Sequence, residues 1–395
     1  MVRVKPSKLD LVFVISLAVI LSVYTYFTVT TFAPVNDYIG DEVWYPPSAY
    51  NILDYIFHVK PPLYSPWTPN NVTGYVNAEH PPLAKYIMAV FEVAFGYSFV
   101  AFRTPSWIMG DLILLFVALT VRKLVRAEPW ATIFGIAGAI VASLDPILWV
   151  LHGVAMLEIY VAFFSLAAFY FLISDRPLLA SVFLGLAFAS KETSDFLLLP
   201  FLFYIASLFP QVWKRIVYGI VIPIGTYLLL NVPIMIYYHG FFGWLDASFL
   251  HSVQWDLTTG HISQTATSQI STPWDWFLNV HPFFLGHGFY ASTSPPIMIS
   301  WVVISVLVFA LVRDLKMNIV TVAGWTMWLS LVVVWLLGNH TLFSFYVADF
   351  EPFVDVTVVA GAYMIVDKAI GVLAKRRVET YEGQEGGDNG GGKGQ

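Results

Sequence analysis

Apolar runs of bilayer length, separated by short polar breaks, occupy most of the chain, and one break is too long and too polar to be a simple turn. The runs fall at roughly 9–33, 104–121, 129–149, 154–173, 178–190, 196–210, 216–238, 296–312, 318–337 and 352–370. A helix needs about 17 to 25 apolar residues to cross a hydrocarbon core, so the pattern predicts an all-α polytopic protein of about ten spans, the fifth and sixth being the shortest. The long break is 34–103. Within it Ile52, Leu53, Ile56 and Phe57 recur at helical spacing, and Leu83–Phe95 is an apolar run too short to cross. Both are expected to lie along the membrane surface.

Two further breaks fall on the same side, 239–295 and 338–350. The first of these is rich in Trp, His, Ser and Thr (Trp244, Trp255, Trp274, Trp276; His239, His251, His261, His281, His287), which suits the headgroup region or a cover over a site. The tail from Glu379 to Gln395 is polar and glycine-rich and offers little to bury, so residues 379–395 are expected to form a disordered cytoplasmic tail behind a transmembrane domain, 1–378.

Charge sets the orientation. Arg3, Lys5, Lys8, Arg122, Lys123, Arg126, Arg176, Lys214, Arg215, Arg313, Lys316 and the cluster Lys368 to Arg377 fall on one side of the ten-span pattern. That side is expected to be the cytoplasm, with both termini there. Of the 20 Lys and Arg, only Lys60, Lys85, Arg103 and Lys191 fall on the far side, so each needs its own explanation.

Composition agrees: 58% of the residues are hydrophobic, 12% are charged and the mean hydropathy is +0.70, against about a quarter charged in an ordinary soluble domain. The net charge of -6 matters less than where the charges stand. The absence of cysteine excludes disulfides, thiolate metal sites and a cysteine nucleophile. Leu9–Ala33 reads as a retained first helix, with no small-residue cleavage site before Pro34. No Walker loop, no strand-borne glycine fingerprint and no basic stripe points to nucleotides or nucleic acid.

Asp41 and Glu42 follow the first span directly. Adjacent carboxylates there can take a proton from a hydroxyl, hold a divalent cation or simply be solvated. His80, Lys85 and Arg103 share the loop and suit a phosphate-bearing lipid, although Lys85 on a surface helix can also snorkel and Arg103 can pair with a loop acid. Asp111, Glu158 and Lys191 lie in or beside apolar runs, where an ionisable group costs at least about 2.5 kcal/mol and needs a partner or a wet cavity. Glu158 opens the fourth run and Lys191 closes the fifth, so the two can meet at the outer face; a Lys191–Glu192 pair is the alternative. Asp145-Pro146 reads as a helix-ending turn. Asn71-Val72-Thr73 and Asn339-His340-Thr341 are glycosylation sequons on the outer side.

Taken together, Gly40-Asp41-Glu42, His80-Pro81-Pro82-Leu83-Ala84-Lys85 and Phe99 to Ser106 with Gly110 resemble the opening third of the protein O-mannosyltransferase family. The likeness continues through Leu144-Asp145-Pro146, Ala155-Met156-Leu157-Glu158, Gly185-Leu186-Ala187, Ser190-Lys191, Ser271 to Trp276 and Phe343 to Tyr346, with Glu158 standing where the family usually has aspartate. The short 239–295 connection matches compact prokaryotic-type members. This resemblance implies a GT-C bundle that takes mannose or a related sugar from a dolichyl or polyprenyl phosphate donor and passes it, with inversion, to Ser or Thr hydroxyls of proteins outside the cytoplasm. It implies Asp41 as the base with Glu42 assisting, Arg103, Lys191 and Lys85 on the donor phosphate, and His80 and Glu158 in support. No nucleotide is needed, and a divalent cation is left open, since the Asp41–Glu42 pair fits either case. A GT-C enzyme acting on a lipid or surface polymer would need much the same loop. A transporter or flippase would use Asp111, Glu158 and Lys191 as a route, but the large acidic outer loop favours an enzyme over a carrier.

Overall fold

The computed structural model describes residues 7–63, 74–258 and 269–387. Helices dominate it. Five are long and apolar enough to cross a membrane: α1 (Lys8–Phe32), α10 (Val212–Tyr237), α11 (Pro295–Val312), α12 (Leu315–Leu336) and the Glu351–Ala374 part of α13 (Glu351–Gly387). A further pair, α5 (Trp130–Leu144) and α6 (Pro146–Gly153), is long and apolar enough only when taken together, and its two helices meet at 67°. Asp145 makes that bend: it ends α5, and its Oδ1 accepts from the N–H groups of Ile147 and Leu148 at 2.9 and 3.2 Å to start α6. The turn read at Asp145-Pro146 is therefore both an end and a beginning.

The remaining runs expected to span become α4 (Phe99–Val125), α7 (Glu158–Ile173), α8 (Pro177–Phe188) and α9 (Leu198–Leu208). By length and composition the described helices give five or six crossings, where ten are expected from the hydropathy pattern. The difference has a physical source. α7 is only 16 residues long, yet it is buried on nearly every side, from Glu158 through Phe169. A helix apolar all round is enclosed by protein. α1 is its opposite, with Leu11, Val14, Ile15, Val19 and Phe27 more than half exposed on a face that only lipid would cover.

The long first connection is structured. A short 3₁₀ turn, Gly40–Val43, leads into α2 (Tyr45–Asn51) and one wider turn, Ile52–Ile56. Ile52 and Leu53 are buried while Phe57 stays exposed. The other surface helix is α3 (Leu83–Phe95), which buries Leu83, Ala84, Lys85, Met88, Ala89 and Glu92 and exposes Val90, Val93 and Phe95. It packs along α4.

The second connection holds short helical pieces, Phe241–Leu245, Asp246–Leu250 and His251–Thr258, and a two-stranded antiparallel hairpin of β1 (Phe283–Gly286) and β2 (Phe289–Ala291), an element absent from the all-α expectation. The hairpin covers the first connection: Leu285 lies over Gly40, and His287 Nε2 is 3.3 Å from Asp37. The expected disordered tail meets a helix instead over its first part, because α13 continues to Gly387. Residues 388–395, the Asn71-Val72-Thr73 sequon and His261 lie outside the described residues.

Candidate functional site

Asp41 is placed by its neighbours on either side in sequence. Gly40 has φ +59, where a side chain is strained, and a Cβ there would stand 2.6 Å from Leu285 Cδ2, so any larger residue would have to push the hairpin's Leu285 aside. Glu42, fully buried, fixes the far side. Its carboxylate accepts from Arg103 Nε (2.8 Å) and Nη2 (2.7 Å), from Ile39 N–H (2.9 Å) and from Ala155 N–H (2.8 Å). Arg103 uses its remaining donors on the backbone oxygens of Phe32 and Val35 through Nη1 and of Asp37 through Nη2. With every donor engaged and no surface exposed, Arg103 is a clamp holding the first connection against α4, and has nothing left to offer a phosphate. Glu42 is equally committed: each of its oxygens already accepts two bonds.

Lys85 is likewise turned inward. Its ammonium donates to the carbonyl and side-chain oxygens of Asn77 and to the carbonyl of His80 at 2.8 Å, which uses all three donors. Burial pulls its pKa down to about 7. Like Arg103, Lys85 spends its donors on the loop itself, whereas the resemblance implies a phosphate role for both.

Asp41 itself remains half-buried, with the Tyr45 hydroxyl 3.4 Å away. Burial and then the neighbouring Glu158 raise its pKa to about 6, against the opposing pull of Lys191 and His80. Those four side chains come from four distant stretches. Glu158 opens α7, Lys191 follows α8 in an extended conformation, and His80 precedes α3, whose first residue, Leu83, bonds through its N–H to the carbonyl of Ala189 at 2.8 Å. Lys191 donates to Glu158 Oε1, as one of the two expectations had it, and Oε2 of Glu158 is buried without a partner. The ammonium also lies 4.3 Å from the Tyr346 ring centroid and 5.7 Å from that of Phe345. Burial opposes the charge on Lys191, but Glu158, Tyr346, Asp349 and Glu192 outweigh it and hold its pKa above the usual value. Among the described residues only one of its three donors is spent.

Glu192 does not pair with Lys191; both its oxygens stand 3.0 Å from His80 Nδ1. His80, and after it Lys191, overcome the cost of burial and push its pKa down to about 2. Beyond it opens a cavity of about 200 Å³ lined by Glu79, Glu192, Asp195, Tyr227, Asn339 and Tyr346, among others. Asn339 is 7% exposed, and its Oδ1 accepts from Thr341 N–H at 2.9 Å, so this sequon belongs to the cavity wall and presents no acceptor amide to solvent. Asp111 sits apart on α4, accepting from Thr25 at 2.6 Å beside an open groove on α1.

The fold thus brings Asp41, His80, Glu158 and Lys191 together and sets Glu42, Arg103 and Lys85 behind them. Tyr45, Glu192, Asp195 and Tyr346 were not picked out as site residues in the sequence. Glu192 is next to Lys191, and that adjacency was the available signal; the others are ordinary loop residues until the chain folds.

No protein-family profile matches the chain. It is similar to curated polyprenol-phosphate-mannose protein mannosyltransferases. It is 31% identical to that of Mycobacterium tuberculosis over 103 residues, which cover 26% of this chain and 19% of the relative. With that of Corynebacterium glutamicum the identity is 26% over 254 residues, 51% of this chain and 44% of the relative. The matches therefore span less than half the length of these relatives. Among solved structures, ArnT from Cupriavidus metallidurans bound to undecaprenyl phosphate superposes with a TM-score of 0.54 at 13% identity, covering 90% of this chain and 60% of that one. AglB from Archaeoglobus fulgidus, in complex with an inhibitory peptide and a dolichol-phosphate, gives 0.50 at 13% identity over 96% of this chain and 52% of that one. At these identities the likeness is one of fold. The chain is an integral membrane protein with the GT-C fold, and the curated proteins it is similar to are polyprenol-phosphate-mannose protein mannosyltransferases, as its motifs led one to expect.

Proposed function

We propose that the protein transfers mannose or a related sugar from a polyprenyl phosphate to a protein Ser or Thr hydroxyl, on the extracytoplasmic side of a ten-span bundle with cytoplasmic termini. In this reading the acceptor oxygen bonds to the anomeric carbon as the bond from that carbon to the phosphate oxygen breaks, and the electron pair leaves with the lipid phosphate. Asp41 takes the hydroxyl proton. Lys191, with two donors uncommitted among the described residues, meets the charge growing on the phosphate. Glu158 holds Lys191 in place, and His80 lends positive potential to Asp41. Glu42, Arg103 and Lys85 position the loop. The resting network needs no cation to be satisfied at Glu42, and no step is assigned to one.

The observation that carries the proposal is the arrangement at Asp41: a half-buried carboxylate with its pKa raised to about 6, in electrostatic contact with Lys191, the one of the three cations Lys85, Arg103 and Lys191 whose donors are not all consumed among the described residues. Purified protein given labelled polyprenyl phosphate mannose and a Ser/Thr-rich peptide tests it. Label should appear on the peptide with wild type and fall at least about a hundredfold with Asp41→Asn. Label found only on lipid, or transfer unchanged in a folded Asp41→Asn, would refute it.

A further inference from the structure

A second set of acids lies deeper in the bundle and takes no part in the chemistry above. It begins two residues past Asp349, which interacts electrostatically with Lys191 and Glu158. Glu351 and Asp355 stand one turn apart at the start of α13 and face Asp145 at the α5–α6 break. All three are fully buried, and one oxygen from each lies within 4.8 Å of the others. Asp145 Oδ2, both oxygens of Glu351 and both of Asp355 receive no hydrogen bond from outside the trio, and within it only Glu351 and Asp145 lie close enough to share a proton. Among the described residues none of the three belongs to an ion pair.

An independent group points the same way. The Tyr24 hydroxyl, on α1, is buried without a partner and lies within electrostatic range of Asp145 first, then of Asp111 and Asp355. Its ring is fixed by stacking on His152, 4.5 Å between centroids and 2° from parallel. Three fully buried carboxylates from two separated stretches thus meet, with an unpartnered hydroxyl within electrostatic range, and most of their oxygens are left unfilled.

Burying a carboxylate uncompensated costs several kcal/mol, so three together must be neutralised. Two ligands on opposite sides of a cation at about 2.1–2.4 Å are about 4.2–4.8 Å apart, so these oxygens can close on one ion with side-chain adjustment alone. An all-oxygen donor set selects hard cations. We propose that Asp145, Glu351 and Asp355 bind one divalent cation of the Ca²⁺, Mg²⁺ or Mn²⁺ class, with the Tyr24 hydroxyl as a further ligand or as a donor to one of the carboxylates. The ion pins the kinked α5–α6 pair to the head of α13, and with it the Ser344–Asp349 turn that carries Phe345 and Tyr346 onto Lys191. This site is separate from Asp41 and does not depend on the sugar-transfer reading.

The test uses the full-length protein in detergent, stripped with EDTA and dialysed against millimolar Ca²⁺, Mg²⁺ or Mn²⁺, with bound metal counted by mass spectrometry and Tm recorded. One equivalent per chain and a metal-dependent rise in Tm are expected. Glu351→Gln and Asp355→Asn should lose the metal, Tyr24→Phe should bind it about ten- to a hundredfold more weakly, and Asp41→Asn should keep it. Wild type without stoichiometric metal would overturn the proposal and leave shared protons as the neutralising species. So would metal that survives Glu351→Gln and Asp355→Asn, or that disappears with Asp41→Asn. If either carboxylate variant fails to fold, the wild-type count and Tyr24→Phe still decide.

Discussion

Asp41 and Lys191 on one hand, and Glu42, Arg103 and Lys85 on the other, are all ionisable groups at one end of the bundle, and what separates them most is how many bonds each has left. That difference yields distinct variants. Arg103→Ala strands a buried Glu42, which should cost about 3–5 kcal/mol of stability and appear as a large fall in Tm. Lys191→Ala should instead raise the donor KM more than the acceptor KM; equal effects on both would remove Lys191 from the phosphate. The elevated pKa of Asp41 gives a further handle. Activity should rise with pH along a limb centred near 6 as the base becomes free, and Asn at this position should abolish the limb. Stability moves the other way: between pH 4 and about 6 the folded state holds a proton that the unfolded state has lost, so this group's contribution to folding falls as pH rises through that window. A wild-type kcat/KM profile flat from pH 5 to about 7 would count against Asp41 as the base.

At the level of single elements, the sequence was most informative where charge contradicted its surroundings. Lys191 and Glu158 could be paired on paper because each was an ionisable group at the outer end of an apolar run, and a partner was required for both. Arg103 and Lys85 looked equally anomalous, yet their partners are mostly backbone oxygens of residues 32–37 and 77–80, which no residue type advertises. The acids Glu351 and Asp355 were hidden for another reason: they fall at the head of an apolar run whose length alone gave it a role. Gly40 is the element-scale test. Its positive φ and the 2.6 Å approach to Leu285 mean that Gly40→Ala should cost about 1–3 kcal/mol in backbone strain and lift the β1–β2 hairpin off the loop. Circular dichroism melting should register the loss, and sugar transfer should fall with it because Asp41 is the next residue. Retention of full activity would show that the hairpin does not set the loop.

For the whole molecule, hydropathy identified the class and most of the helices but overstated how many touch lipid, because α7 is as apolar as α1 while lying inside the bundle. A helix enclosed by protein can be shorter than the bilayer, as the 16-residue α7 is. The proposed ten-span orientation therefore rests on the distribution of Lys and Arg more than on helix length, and the chain offers a direct way to test it. With no native cysteine, a single introduced thiol reports its own side of the membrane. Lys60 is 73% exposed at its side chain, on the connection proposed to face outward, and Arg126 is 57% exposed at the end of α4, on the side proposed to be cytoplasmic. Lys60→Cys should react with an impermeant maleimide on intact cells, and Arg126→Cys only after the membrane is opened. If both label from the outside, α4 does not cross, the positive residues at 122–126 lose their meaning as a cytoplasmic marker, and Asp41 could no longer be placed across the bilayer from them.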